Sequence, residues 1–244
     1  MPLSTMPPYD DSRIDSLGGS AIVIGGSMAG LCAAQVLTDA FEDVVLIERD
    51  ALSDEPTIRD GAPQTSQPHA LLEAGRTTLE DLFPGFSADV LNAGGLELNM
   101  TRDIAWYDRG GVVAEAATPL SALYASRPLF EHIARQRVRN DPNIHVRDGC
   151  HFITYTHDPS ADRITGVRFR DEQGSETTIE ATLTVDASGR ASKTPSWLAK
   201  HGYPKPAVDR VNIDVTYGTV RVSRPPDVQR GVLIAPEPDR PRGA

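Results

Sequence analysis

One stretch, Ile22 to Glu48, limits what this chain can fold into more than any other. Ala21 to Ile24 is an all-apolar run, the pattern of a strand buried on both faces of a parallel sheet. Gly25-Gly26-Ser27-Met28-Ala29-Gly30 breaks that run, and Ala33, Val36, Leu37 and Ala40 then recur at helical spacing. Val44 to Glu48 is a second apolar run, and it ends in an acid. Strand, tight turn, helix and strand in so short a span make a β-α-β unit, which commits the surrounding chain to a parallel sheet.

The same stretch carries the strongest chemistry. Where a strand ends and a helix begins, orphan N–H groups and the positive end of the helix dipole face one point, so an anion binds there. Gly25 is read as the tight turn and Gly30 as the place where the helix approaches the sheet. Ser27 stands at the middle glycine position of G-x-G-x-x-G, with a small hydroxyl available to a phosphate. Glu48 follows Gly30 by 18 residues, near the offset at which a carboxylate accepts bonds from an adenosine ribose. Gly25, Gly26, Ser27, Met28, Ala29 and Gly30 are therefore the expected pyrophosphate cradle of a dinucleotide site. The charge on Glu48 opposes a 2′-phosphate.

Other chemistries fail on charge or spacing. Twenty-four Lys and Arg against 34 Asp and Glu leave a net charge of −10, which repels a phosphate backbone, so no nucleic-acid partner is expected. The basic run Arg135 to Arg139 reads as a solvated helix face. Without an apolar stretch of membrane length or a basic, then apolar, leader, no membrane partner is expected and the chain is read as soluble and cytoplasmic. Cys32 and Cys150 form no C-x-x-C pair and are read as packing residues. His145, His151 and His157 recur every six residues, but six strand residues span about 20 Å, too far for one metal ion, and none is expected. Ser192-Lys193-Thr194 imitates the end of a P-loop without its glycines.

Along the chain, Met1 to Gly19 is expected to be a disordered leader, 20–205 the nucleotide-binding domain with 85–120 inserted as a hairpin, and 206–244 the truncated start of a second sheet. A helix is expected over Pro68 to Phe83, stopped by Pro84-Gly85, and another from Pro128 that buries Phe130, Ile133, Ala134 and Val138. Leu96 to Ala114 reads as a hairpin turning at Gly110-Gly111, and Ile144 to Val185 as three strands broken at Asp158-Pro159 and Gln173-Gly174. Val232 to Ala235 reads as a strand without neighbours. The fold class is α/β with an added antiparallel portion.

Ile22 to Leu31, followed by Val44 to Asp50, resembles the amino-terminal FAD motif of flavin-dependent monooxygenases of the para-hydroxybenzoate hydroxylase type. Pro63-Gln64 with His69-Ala70-Leu71-Leu72 is similar to the loop and helix start after the second strand in one branch. Ser126-Arg127-Pro128-Leu129-Phe130-Glu131 resembles the family's Ser-Arg-x-x-Leu helix start. Thr184 to Ser192 resembles the strand and turn of its Asp-Gly fingerprint, with Ser188 where the aspartate usually stands. The resemblance covers roughly Ser20 to Val222. The branch it points to holds epoxidases and hydroxylases of polyketide and related secondary metabolism. Flavin halogenases share the fold, but their Trp-x-Trp-x-Ile-Pro segment is not in this sequence.

The resemblance implies a Rossmann-like FAD-binding domain and an incomplete substrate sheet, the sequence being the amino-terminal portion of a longer enzyme. It implies FAD as cofactor, NAD(P)H as transient reductant, and O₂ with a small aromatic or alkene metabolite as substrates. It places Arg49 on the adenosine side, Arg127 at the cofactor's phosphate or ribityl region, and Asp186 and Gly189 in the turn near the cofactor. No catalytic base is assigned, because the cofactor carries the chemistry. The alternatives are a geranylgeranyl-reductase-like flavoprotein, a non-catalytic FAD-binding fragment, and a nicotinamide dehydrogenase, which would need a Tyr-x-x-x-Lys or His constellation that the sequence lacks.

Overall fold

The structure is a computed structural model that describes residues 7–116, 118–214, 216, 218–220, 222–223, 225, 228 and 230–235. Met1 to Met6 of the expected leader, and Pro226, Pro236, Pro238 and Pro241 of the tail, lie outside them. Along its elements the chain passes three times between two compact units. It starts in a larger one with β1 (Ser20–Ile24), α1 (Met28–Leu37) and β2 (Asp43–Ile47). It then builds a smaller one from β3 (Pro68–Leu71), α2 (Glu73–Leu82), α3 (Phe86–Asn92), β4 (Leu96–Asn99), β5 (Ile104–Asp108), β6 (Gly111–Val112) and β7 (Ser121–Ser126). It returns through α4 (Arg127–Asn140) to β8 (Ile144–Arg147), β9 (His151–Asp158), β10 (Arg163–Arg170), β11 (Glu176–Glu180), β12 (Leu183–Asp186) and α5 (Thr194–Lys200). The last element, β13 (Gly231–Ile234), belongs again to the smaller unit.

The larger unit, Tyr9–Ser66 with Pro128–Thr216, has three layers. Its centre is a parallel sheet in the order β12-β1-β2-β8. The side chains of β1 alternate between its faces. Ile22 and Ile24 pack with Val45, Ile47, Tyr155, Val167 and Phe169, joining the sheet to the antiparallel sheet β11-β10-β9. On the other face Val23 meets α1 at Gly30, and Leu31 and Ala34 are buried there. The α/β class with added antiparallel strands is therefore the observed one. The count of three strands over Ile144 to Val185 becomes five, because the chain changes sheets between β8 and β9 and again between β11 and β12, which alternation alone cannot reveal.

In the smaller unit β7 lies between β3 and β4, and β5 between β13 and β6. The helix expected over Pro68 to Phe83 starts only at Glu73, because Pro68 to Leu71 pairs antiparallel with Ser126 to Leu123. Its apolar residues suit either period, and the β7 edge decides. The Gly110-Gly111 hairpin is present as β5 and β6. Val232 to Ile234 is not isolated, since it pairs parallel with Ala105 to Tyr107. The described residues of 206–230 hold no strand, and Val211 is 86% exposed. The smaller unit takes Gln67–Arg127, a longer stretch than the 85–120 expected for an insertion.

The described part of the leader is held in place. Asp11–Arg13 form a short 3-10 helix, Leu17 N–H donates to Ala40 O at 2.7 Å, and the Tyr9 hydroxyl donates to Asp39. Arg135 is also unlike its expectation. It is 3% exposed and donates to Ser53 O at 2.8 Å, while Arg139 reaches Asp54 at 2.6 Å. The loop after β2 covers this face of α4 and gives its guanidinium groups carbonyl and carboxylate partners, so the face is docked instead of solvated.

Candidate functional site

At the carboxyl ends of β1 and β2 the larger unit has a cleft of about 210 Å³. Ile24, Gly25, Ser27, Ile47, Glu48 and Arg49 line it from the β-α-β unit. Arg59 and Gly61 enter from the following loop, Cys150, His151 and Phe152 from the start of β9, and Ala187, Ser188, Ala191 and Lys193 from the turn after β12. This is the end of a parallel sheet at which ligands bind, beside β1, whose neighbours β2 and β12 both follow it in the chain and lie on opposite sides of it.

The glycine turn is built by close approach. Gly25 has φ +105°, its N–H donates to Ile47 O at 2.8 Å, and a Cβ there would stand 2.5 Å from Ala187 O. A Cβ on Gly30 would stand 1.7 Å from Gly25 O, so α1 sits directly against the turn. Ser27 caps α1 without a side-chain bond to the helix, and the first helical bond runs from Leu31 N–H to Ser27 O at 2.9 Å. Met28, Ala29 and Gly30 thus supply the first-turn N–H groups, which have no intrahelical acceptor. The cradle that added Cβ atoms would fill, together with those donors, fits the pyrophosphate of a dinucleotide.

Glu48 is 6% exposed, and both its oxygens already accept backbone bonds. Oε2 takes Gly26 N–H at 2.6 Å and Oε1 takes Asp50 N–H at 2.9 Å. Each carboxylate oxygen keeps a second lone pair, so a ribose hydroxyl can still donate to it. The Ser27 hydroxyl donates to Glu131 Oε2 at 2.7 Å. Arg49 has a half-exposed side chain and lies 3.5 Å from Asp50.

Two residues that the sequence reading assigned no role dominate the electrostatics. Arg59, 7% exposed, holds Glu131 at 2.6 Å, Asp50 at 3.1 Å and Glu48 at 3.5 Å. Burial alone would lower its pKa, but Glu131, Glu48 and Asp50 outweigh that and raise it, so Arg59 is a fixed cation. Glu131 on α4 is 2% exposed, with Arg135 at 3.7 Å. Burial lowers the Arg135 pKa while Glu131 pulls the other way. Three carboxylates, those of Glu48, Asp50 and Glu131, are thus matched by Arg49, Arg59 and Arg135. Glu131 ends the helix-start segment already singled out in the sequence, and Arg59 stands four residues before Pro63. Their contact with each other spans 72 residues, so neither shows that partner in the sequence.

Asp186 ends β12 but does not line the cleft. Its carboxylate accepts Ser188 N–H at 2.9 Å and the hydroxyls of Ser188, Ser192 and Thr194. Burial would raise its pKa, yet those donors hold it below the ordinary value. Asp186 therefore shapes the turn whose Ala187 and Ser188 face the cleft. Gly189, with φ +81°, continues that turn. Arg127 opens α4 where the chain passes between the units and is not a lining residue. His151 lines the cleft, while His145 is exposed beside Asp43 and His157 packs against Trp197 and Tyr203. No group of three or more His, Cys, Asp or Glu that could hold a metal ion occurs among the described residues.

No protein-family model matches the chain. Protein Rv3254 of Mycobacterium tuberculosis is 34% identical over 218 residues, which is 85% of this chain and 45% of that protein. The chain therefore spans about half the length of the curated relative it matches. PqsL, a probable FAD-dependent monooxygenase from Pseudomonas aeruginosa, superposes with a TM-score of 0.56 at 16% identity, over 80% of this chain and 48% of that one. p-Nitrophenol 4-monooxygenase PnpA from Pseudomonas putida gives 0.54 at 17%, over 75% and 44%. The flavin-dependent monooxygenase PieE, solved with FAD and substrate, gives 0.52 at 20%, over 76% and 32%. The chain has the fold of the corresponding part of these FAD-dependent monooxygenases.

Proposed function

We propose that this chain is the FAD-binding portion of a monooxygenase of the para-hydroxybenzoate hydroxylase type that uses NAD(P)H and O₂ on a small aromatic or alkene metabolite. One observation carries the reading: the cleft joins a strand-to-helix cradle at Gly25 and Gly30 to an acid at the end of the second strand. That is the arrangement a pyrophosphate and its neighbouring ribose require. FAD held by these residues would supply the redox chemistry between NAD(P)H and O₂.

The chain's own residues bind and orient. The first-turn N–H groups of α1 face the pyrophosphate, Glu48 accepts from the ribose, and Arg49 flanks the adenosine. Asp186 and Gly189 shape the turn that brings Ala187 and Ser188 to the cleft, and Arg127 serves the phosphate or ribityl region. The smaller unit holds an apolar cavity of about 430 Å³ lined by Leu72, Met100, Ile104, Trp106, Val113 and Leu120. Its size and lining suit a small aromatic or alkene ligand.

The visible spectrum of the purified protein mixed with FAD and then desalted tests the cofactor, and NAD(P)H-dependent O₂ consumption tests the reaction. Retained flavin bands, with O₂ consumed at the expense of NAD(P)H, are expected. A colourless protein after desalting, or flavin without any NAD(P)H oxidation, contradicts the reading.

A further inference from the structure

Gly26 and Ser27 are adjacent, and a ring of contacts closes around the peptide between them. Gly26 N–H donates to Glu48 Oε2 at 2.6 Å, Glu48 lies 3.5 Å from Arg59, and Arg59 lies 2.6 Å from Glu131. Glu131 Oε2 accepts the Ser27 hydroxyl at 2.7 Å, which completes the circuit. Glu48, Arg59 and Glu131 are all below 8% exposed. A hydroxyl has a single hydrogen to donate, so the Ser27 proton is committed to Glu131 and is not offered to a phosphate oxygen.

We propose that Glu131 is a positioning residue for the pyrophosphate, acting through Ser27 on one side and through Arg59, Glu48 and Gly26 on the other. The inference rests on the dinucleotide reading of the cleft. A glycine-rich turn is costly to order, and first-turn N–H groups bind an anion well only when already aimed at it. The ring fixes the 26–27 peptide, and with it the start of α1, before a ligand arrives. Glu131 brings a negative charge near an anion site, but Arg59 and Arg135 beside it compensate. Ser27 at the middle glycine position is then a working substitution, since a glycine there has no hydroxyl to give Glu131.

This sets the account against the simplest expectation, that restoring G-x-G-x-x-G improves binding. The test titrates FAD and ADP into the full chain and into Ser27→Gly, Ser27→Ala, Glu131→Gln and the Ser27→Ala/Glu131→Gln pair, with thermal midpoints recorded alongside. Ser27→Gly and Ser27→Ala remove no buried charge, so they keep the question answerable even if Glu131→Gln fails to fold. Both should weaken FAD and ADP together by about threefold to tenfold, a fraction of the roughly one to two powers of ten that a hydrogen bond to a charged group is worth, because the lost bond acts on the ligand only through the turn. Glu131→Gln, which keeps an acceptor for Ser27 but gives up the charge on Arg59, should weaken both by about tenfold. The pair should bind within about twofold of Glu131→Gln, because both changes break one ring. A Ser27→Gly variant that binds as tightly as the wild type, fully additive effects, or a lowered midpoint with unchanged ADP affinity would each overturn the proposal alone. A wild-type chain that takes up neither FAD nor ADP overturns the dinucleotide reading, and the proposal with it.

Discussion

Glu48 directly follows β2 and Asp186 ends β12 in the same parallel sheet, yet their carboxylates do different work. Glu48 faces the cleft while tying Gly26 to Asp50, so Glu48→Ala should remove charge-assisted bonds of about 1.5 to 3 kcal/mol and loosen FAD by roughly one to two powers of ten. Titration of FAD followed by flavin fluorescence checks this, and an unchanged affinity in the folded variant would remove Glu48 from the site. Asp186 acts on stability instead. Its folded pKa lies below the ordinary value, so its contribution is fully present above about pH 4 and is lost as pH falls through the folded value. Denaturant unfolding of wild type and Asp186→Asn should therefore differ most near neutral pH and converge below pH 4; a constant gap across that range would sink the assignment. Gly25, Gly30 and Glu48 were legible in the sequence because their spacing is local. The Ser27–Glu131–Arg59 contacts were not, because they join residues 72 and 104 positions apart.

At the scale of elements, α1 and α4 were legible from their apolar periods, and β3 was not. Pro68 to Leu71 carries no alternation strong enough to outvote the helical pattern that follows it, and its strand geometry comes from β7. The docked side of α4 escaped for a similar reason, since a basic run reads the same whether water or a loop covers it. Arg135→Ala should destabilise the chain by about 3 kcal/mol, because it leaves Glu131 with less compensation and Ser53 O without its donor. Gln136→Ala, on the exposed side of the same helix, should stay within about 0.5 kcal/mol. Equal midpoints for the two in a denaturant series would restore the solvated reading of Arg135. Gly30→Ala tests the packing of α1. Its Cβ position is fixed by the backbone and falls on Gly25 O, so no rotamer relieves the clash, and a loss of about 3 kcal/mol with weakened FAD binding is expected. A fully stable Gly30→Ala chain with unaltered FAD affinity would show that α1 does not need this approach.

At the scale of the whole molecule, the alternation of strand and helix disclosed an α/β chain, and the chain divides into two compact units. The larger unit is assembled from two separated segments, and composition alone gives no mark where a chain leaves one core and returns to it. No helix among the described residues is long and apolar enough to cross a membrane. On the proposed reading, the larger unit recognises a dinucleotide through its adenine-bearing half. Calorimetric titration of the full chain with FAD, FMN and ADP tests this, because FMN has the same ring system and one phosphate but lacks the adenosine monophosphate part. One FAD per chain, competition by ADP, and FMN at least about tenfold weaker is the expected result, a gap of about 1.4 kcal/mol. FMN binding as tightly as FAD, or FAD binding that ADP does not displace, would contradict the claim.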